Sequence, residues 1–457
     1  MSDTPRYRAI SGRELPQHPR LLHLPAPIRL AMAAVAEVLP FRANEYVIEN
    51  LIDWQRIPDD PIFQLVFPQP EMLSPKQRAP IEQALSLGGP PEALAKLVQQ
   101  TRAQLNPHPA GQLSHNVPAL GGRRLDGIQH KYRETVLFFP RQGQTCHAYC
   151  SYCFRWPQFV GDDELRFASD EVAALVAYVR SRPDVTSVLI TGGDPLIMKT
   201  SLLARYIEPL LELPQLATIR LGTKALAFWP YRFTHDADAD QLLRLFERVG
   251  AAQKSLALMA HSSHPRELET PPAQAAVARI RSTGAVIRTQ APLIRRVNDD
   301  PSTWADKWRL EVQLGMVPYY LFVERDTGPR GYFEVPLAKA VQIYQGATQQ
   351  VSGLARTARG PSMSATPGKV VVDGVAEIAG KRVFVLRFLQ ARRPDWVGRP
   401  FFAEYDPKAV WLDQLRPAFG AAEHFYEEEL GQLLSVGGGF AEPILRRRAL
   451  RLMGAIA

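Results

Sequence analysis

Three thiols set the first chemical constraint. Cys146, Cys150 and Cys153 lie together as Cys-His-Ala-Tyr-Cys-Ser-Tyr-Cys, and the 457-residue chain has no other cysteine. An even, dispersed set would suggest a disulfide framework, whereas three on one loop suggest one metal site. At this spacing they can wrap one corner of a cubane iron–sulfur cluster. Each cluster iron normally takes a thiolate, so three cysteines leave one iron open to a non-protein ligand. An open position is the mark of a metal centre that does chemistry, as it is for zinc. Two competing readings are unrelated buried cysteines and a zinc site completed by His147 or another histidine. Zinc sites, however, usually pair cysteines as C-x2-C with the remaining ligands far away.

The elements that must position this loop can be read from the apolar pattern. Short β-branched or aromatic runs occur at 135–139, 187–191, 218–223, 255–261, 286–292 and 316–323. Amphipathic helical stretches lie between and after them: one following Ser169, a candidate N-cap, then 201–213, 239–249, 272–283, 302–314 and 336–350. Strands alternating with helices imply parallel βαβ units. Six such units fit a full or partial (β/α) barrel or an open doubly wound sheet. The cysteines follow the first strand, at the face where the active sites of such barrels collect.

The flanks read differently. Residues 1–115 are Pro-rich, with helical patches at 27–39 and 80–103, and suggest a cap or oligomerisation segment packed on the 116–355 barrel. Residues 356–457 give a strand pair (VVVDG and RVFVLRFL), a last helix near 421–436 and a basic tail with Arg446, Arg447 and Arg448. The composition, 46% hydrophobic and 22% charged, is that of a soluble globular chain. No run approaches a membrane span and the N-terminus has no signal-peptide core, so a cytoplasmic location is expected and a membrane partner is not. The net charge of +8 is mild for this length and does not by itself argue for nucleic acid.

C-x3-C-x2-C with an aromatic residue, Tyr152, before the last cysteine is the signature of radical S-adenosylmethionine (SAM) enzymes. More of the chain resembles one branch, the lysine 2,3-aminomutase family: QTCHAYCSYCFRW, ITGGDPL (190–196), RLGTK (220–224), HSSHPRE (261–267), TQAPLIRRVND (289–299) and PYYLF (318–322) follow one another in the family's order. The resemblance implies a partial (β/α)6 barrel with a helical N-terminal extension and a C-terminal α+β extension. It implies a [4Fe–4S] cluster on the three cysteines, SAM chelated at the open iron, and a radical that abstracts hydrogen from substrate. By residue match, Tyr152, Gly192, Gly193, Asp194, Thr223, His261 and Gln290 would line the SAM end. Arg155 would grip a substrate carboxylate and Asp326 a distal ammonium. An electron donor such as flavodoxin or ferredoxin is implied, and a homo-oligomer is compatible with the cap. Gly192 and Gly193 could equally serve a tight turn, Asp194 a helix N-cap, Arg155 a solvated loop and His261 a core contact.

Two departures matter. The family holds pyridoxal phosphate (PLP) as a Schiff base on a lysine in a glycine-rich loop, here ARGPSMSATPGKV (358–370), where Ala365 stands in the lysine's place and Lys369 is four residues on. A family arginine is replaced by Thr135, with Lys131 and Arg133 nearby, and the second carboxylate that holds the lysine ammonium aligns with Ala358. The expectation is a radical SAM enzyme acting without PLP on an amino-acid-like small molecule. The alternatives are a PLP-dependent 2,3-aminomutase using Lys369, and a radical SAM RNA modifier or nucleic-acid-binding protein.

Overall fold

Alternation along the strands decides the sheet. In the computed structural model, which describes residues 5–88, 90–106, 116–161 and 166–436, each expected strand forms: β2 (Thr135–Phe138), β3 (Ser187–Ile190), β4 (Thr218–Thr223), β5 (Ser255–His261), β6 (Val286–Leu293) and β7 (Val317–Val323). Val188 and Ile190, Ile219 and Leu221, and Leu256 and Leu258 belong to one apolar core. That core also holds Leu175 and Val179 of α1 (Val172–Arg180), Leu203 and Ile207 of α2 (Thr200–Leu211), Leu242 and Phe246 of α3 (Ala239–Ala251) and Val277 and Ile280 of α4 (Pro271–Ser282). Side chains on a strand alternate between faces, so the residues between them point away from this helical layer. Arg220, Gly222, His261, Arg288 and Gln290 are among those.

The strands pair in parallel from β2 to β7. The stretch matching the family's glycine-rich loop is itself largely strand. Arg359–Ser364 (β8) pairs in parallel with β7, then turns back into β9 (Gly368–Ile378). The strand pair expected near the C-terminus is the β9–β10 hairpin, with β10 at Lys381–Ala391, and β11 (Pro400–Glu404) lies outside it. At the opposite edge, β1 (Ile128–Tyr132) pairs antiparallel with β2. These eleven strands form one sheet with β1 and β11 at its edges. Among the described residues no backbone ladder joins the ends, but the Lys131 ammonium of β1 donates to the Ala365 carbonyl in the β8–β9 turn. The sheet therefore curls far enough to bring the β1 edge against the β8–β9 turn.

Some helix limits differ from expectation. Ser169 does not cap α1: Glu171 occupies that position, and the Ser169 hydroxyl accepts from the Glu171 N–H at 3.1 Å while its backbone bridges Pro140. The 80–103 patch is two helices, Pro75–Leu87 and Pro91–Leu105, divided where Gly88 takes a left-handed φ of 61°. Helices also form at Pro301–Gln313 (α5), Leu337–Gln349 (α6) and Glu427–Val436, while Arg446–Arg448 lies outside the described residues. Among the described residues no helix is long and apolar enough to cross a membrane.

Among the described residues the N-terminal segment shares its core with the sheet. Its buried Val35, Val47, Phe63 and Phe67 form one cluster with Tyr152, Trp156, Trp229, Ile294 and Phe333 from loops of the sheet's C-terminal end. Burying that apolar surface is what seats the segment over the cysteine loop.

Candidate active site

The cysteine loop leaves β2 and is held on two sides. On the sheet side, the loop after β3 lies against it: the Gly193 N–H donates to the Gly143 carbonyl (3.0 Å) and the Asp194 N–H to the Thr145 carbonyl (2.7 Å). A Cβ on Gly193 would come within 2.4–2.6 Å of Thr145 backbone atoms, so only glycine permits this approach. Gly192 is constrained differently: its φ of 146° strains any L side chain, while a Cβ there would meet only the movable end of the Gln144 side chain.

On the other side the N-terminal segment clamps the loop. Tyr7 and Asn44 both donate to the His147 carbonyl (2.8 and 3.1 Å). Arg42 Nη1 reaches the Thr145 hydroxyl at 3.1 Å, and the Tyr149 N–H donates to the Arg42 carbonyl. The Ser151 hydroxyl and N–H donate to carbonyls of Gln64 and Leu65. Asn44 also donates to the Phe228 carbonyl (2.9 Å) and caps the helix Glu45–Asn50 through the Val47 N–H (3.0 Å). It is fully buried, so Asn44→Ala orphans the Phe228 carbonyl and the Val47 N–H and leaves the His147 carbonyl to Tyr7 alone. We expect a loss of about 2–3 kcal/mol of stability. A thermal melt alongside iron incorporation after reconstitution checks this, and the two should fall together.

The thiols are free and lie in a shared electrostatic environment. Burial pushes Cys146 well up, with Asp194, Cys153 and Cys150 adding repulsion and Arg155 opposing it. Burial takes Cys150 up to about 12, with Lys224 opposing, and raises Cys153 against the pull of Arg155. Burial keeps these thiols protonated, and Arg155 and Lys224 are the cations that oppose it and would favour the thiolate form a metal group takes. Among the described residues no trio of His, Cys, Asp or Glu is drawn together as a finished metal chelate. His147, the competing zinc ligand, has its Nδ1 4.0 Å from the Asp194 carboxylate, and burial takes it down to about 3.

The expected site residues fall around this loop. Asp194 caps the turn Pro195–Ile197 through the Leu196 N–H (2.9 Å) and accepts from the Thr223 hydroxyl (2.8 and 2.9 Å) and the Lys224 N–H (2.8 Å). The carboxylate thus ties the end of β4 to the loop after β3. The Tyr152 hydroxyl lies 3.3 Å from His261 Nδ1 and 3.2 Å from the Ser263 hydroxyl. Burial, with Lys224 and Lys307 nearby, takes His261 down to about 3, so it is neutral at physiological pH. Gln290 stands beside His261 in the β5–β6 register.

Arg155 is enclosed, not solvated. Its guanidinium lies 4.4 Å from the Phe139 ring centroid and donates to Gln144 at 3.2 Å, while its buried Nε has no partner. Asp326 sits in the turn after β7. Its neighbour Thr327 accepts from Trp156 Nε1 (3.2 Å), and Arg325 lies over Phe154, so this turn meets the residues just after Cys153. The clamp residues Tyr7, Arg42 and Asn44 had no signature in the sequence, because their roles depend on contacts up to 184 positions away.

A protein of Aquifex aeolicus (strain VF5) named "Putative L-lysine 2,3-aminomutase" is 31% identical over 395 residues, covering 85% of this chain and 91% of that protein. L-lysine 2,3-aminomutase of Bacillus subtilis (strain 168) is 27% identical over 231 residues, 50% of this chain and 46% of the relative. That of Clostridium subterminale is 26% identical over 229 residues, 50% and 52%. The chain thus aligns with about half the length of these last two. No family model matches the chain. Among solved structures, Streptococcus suis SuiB bound to S-adenosylmethionine superposes with a TM-score of 0.34 at 12% identity, over 56% of this chain and 49% of that one, too weak a likeness to carry an argument.

Proposed function

The chain belongs to the lysine 2,3-aminomutase family of radical SAM enzymes, and on that premise we propose that it cleaves SAM reductively and abstracts hydrogen from an amino-acid-like substrate without PLP. Cys146, Cys150 and Cys153 would hold a [4Fe–4S] cluster, and the crowded thiols beside Arg155 and Lys224 fit that donor set. When bound, cluster and SAM supply a one-electron cleavage that yields a hydrogen-abstracting radical.

The protein's own work is to hold, orient and exclude. Asp194 fixes the β3 and β4 ends against each other, which sets the wall on which SAM would lie. In this geometry its carboxylate already accepts from three donors, the Leu196 N–H, the Thr223 hydroxyl and the Lys224 N–H, so a methionyl ammonium would join a largely filled acceptor set. Neutral His261 and buried Tyr152 present a polar edge without adding charge. Arg155, with an unmet donor, is the group for a substrate carboxylate. Apolar packing of the N-terminal segment over the loop keeps water from a reactive radical.

The single observation behind the PLP-free reading is Ala365. It is buried in the β8–β9 turn, its carbonyl is taken by Lys131, and a methyl group cannot form an imine. One observation favours the second reading, a PLP-dependent aminomutase. Burial, with Arg359 and Arg220 beside it, takes Lys369 down to about 7. At pH 8 that amine is mostly neutral and nucleophilic. Incubating anaerobically reconstituted protein with PLP, reducing with borohydride and mapping pyridoxyl-lysine separates the two. No specific adduct, with SAM cleavage intact, is the expected outcome. A stoichiometric adduct on Lys369 would replace the first reading with the second.

A further inference from the structure

We infer that Arg220, Arg288, Arg359 and Lys369 form a binding site for an anionic group of the substrate, a phosphate ester or a second carboxylate. This deepens the PLP-free reading and rests on it, since a PLP phosphate would otherwise be the anion.

Four strands contribute one cation each to the sheet face opposite the helices: Arg220 from β4, Arg288 from β6, Arg359 from β8 and Lys369 from β9. A two-ring platform of Tyr319 and Tyr320, centroids 4.5 Å apart, gathers three of them. Arg359 lies 4.4 Å from the Tyr319 centroid and 4.3 Å from that of Tyr320. Arg288 lies 5.2 Å from Tyr319, and Lys369 Nζ 4.1 Å from Tyr320. Arg220 is tied to the group by its field, which with that of Arg359 acts on Lys369.

Their other contacts are neutral. Lys369 donates to Gln390 Oε1 at 3.2 Å, Arg220 Nη2 donates to the Thr135 hydroxyl at 3.3 Å, and the buried Arg220 Nε has no partner. Among the described residues none of the four pairs with a carboxylate. Ring faces attract cations but leave like charges unbalanced. Sequestered cations without a counter-charge are costly to keep, and one arriving anion would relieve the repulsion among all of them. Guanidinium forks suit carboxylate and phosphate, both of which take paired hydrogen bonds. This charge is the reverse of what a free lysine ammonium needs, and it accompanies the loss of a carboxylate at Ala358.

The test uses reconstituted holoenzyme with inorganic phosphate and succinate as probes and potassium chloride of equal ionic strength as the control, read by calorimetry and by Tm. Either probe should bind saturably and raise Tm; the tighter one separates a phosphate ester from a carboxylate. Run at pH 6, where the Lys369 amine carries its charge, Arg359→Gln and Lys369→Met should each weaken binding at least tenfold (the criterion of the experiment) without lowering the ligand-free Tm, because each removes an uncompensated charge. Unchanged affinity in both variants would overturn the inference, as would affinity losses accompanied by a lowered ligand-free Tm in both, which is the behaviour of structural residues. A stoichiometric pyridoxyl adduct on Lys369 would overturn the PLP-free reading and this inference together. Absence of both adduct and anion binding would overturn this inference alone.

Discussion

Cys146→Ala, Cys150→Ala and Cys153→Ala should each abolish reductive SAM cleavage, measured as 5′-deoxyadenosine formed with dithionite under anaerobic conditions. The reason is ligand count. Three thiolates already leave one iron of a cubane without a protein ligand, and losing one of the three leaves only two points of attachment. No other cysteine exists to substitute. In the apo protein burial keeps the thiols protonated and neutral, so replacing one by alanine breaks no ion pair and the apo variants should melt close to the wild type. A variant that cleaves SAM at the full rate would refute the assignment of the loop. A variant that simply unfolds would be seen in the melt, and the other two cysteines then carry the test.

How much of this was legible beforehand follows from the range of the interactions involved. The parallel strands are visible because each needs only its own alternation: Val188 and Ile190, or Ile219 and Leu221, commit one face to the helices whatever surrounds them. The cysteine loop is visible because its spacing is local. What stayed hidden depends on distant partners. Asn44 carries no signature in the sequence, and only the fold brings the His147 and Phe228 carbonyls to its amide. Ser169 looks like a cap because its type and neighbours fit, yet the bridge to Pro140 shifts the helix start to Val172. The stretch 358–370 looks like a loop because it has Gly and Pro, but β7 offers it an open edge, and Arg359–Ser364 pairs there. Glycines had two readings in sequence. The structure gives Gly193 a specific one, since a Cβ there would meet the Thr145 backbone.

Arg155→Ala should cut substrate turnover while sparing substrate-free SAM cleavage. Losing a fork that grips a carboxylate in an enclosed site costs ~3 kcal/mol, on the order of 10²-fold in kcat/KM. Burial pulls Arg155 down to about 10, so it stays cationic at neutral pH. An enclosed cation whose Nε donates to nothing is poised for an incoming acceptor. The same guanidinium also eases the ionisation of Cys146 and Cys153, which gives a rival explanation: its loss could simply impair cluster assembly. Iron content of the reconstituted variant separates the two. Arg155→Lys adds a second discriminator, because it keeps the charge near the thiols but loses the planar fork. If Arg155 serves the substrate, the lysine variant should assemble normally, cleave SAM in the absence of substrate, and still turn over poorly. If it serves the cluster, lysine should restore both activities. Equal loss of both activities in Arg155→Ala, at reduced iron content, would move this residue from the substrate to the cluster.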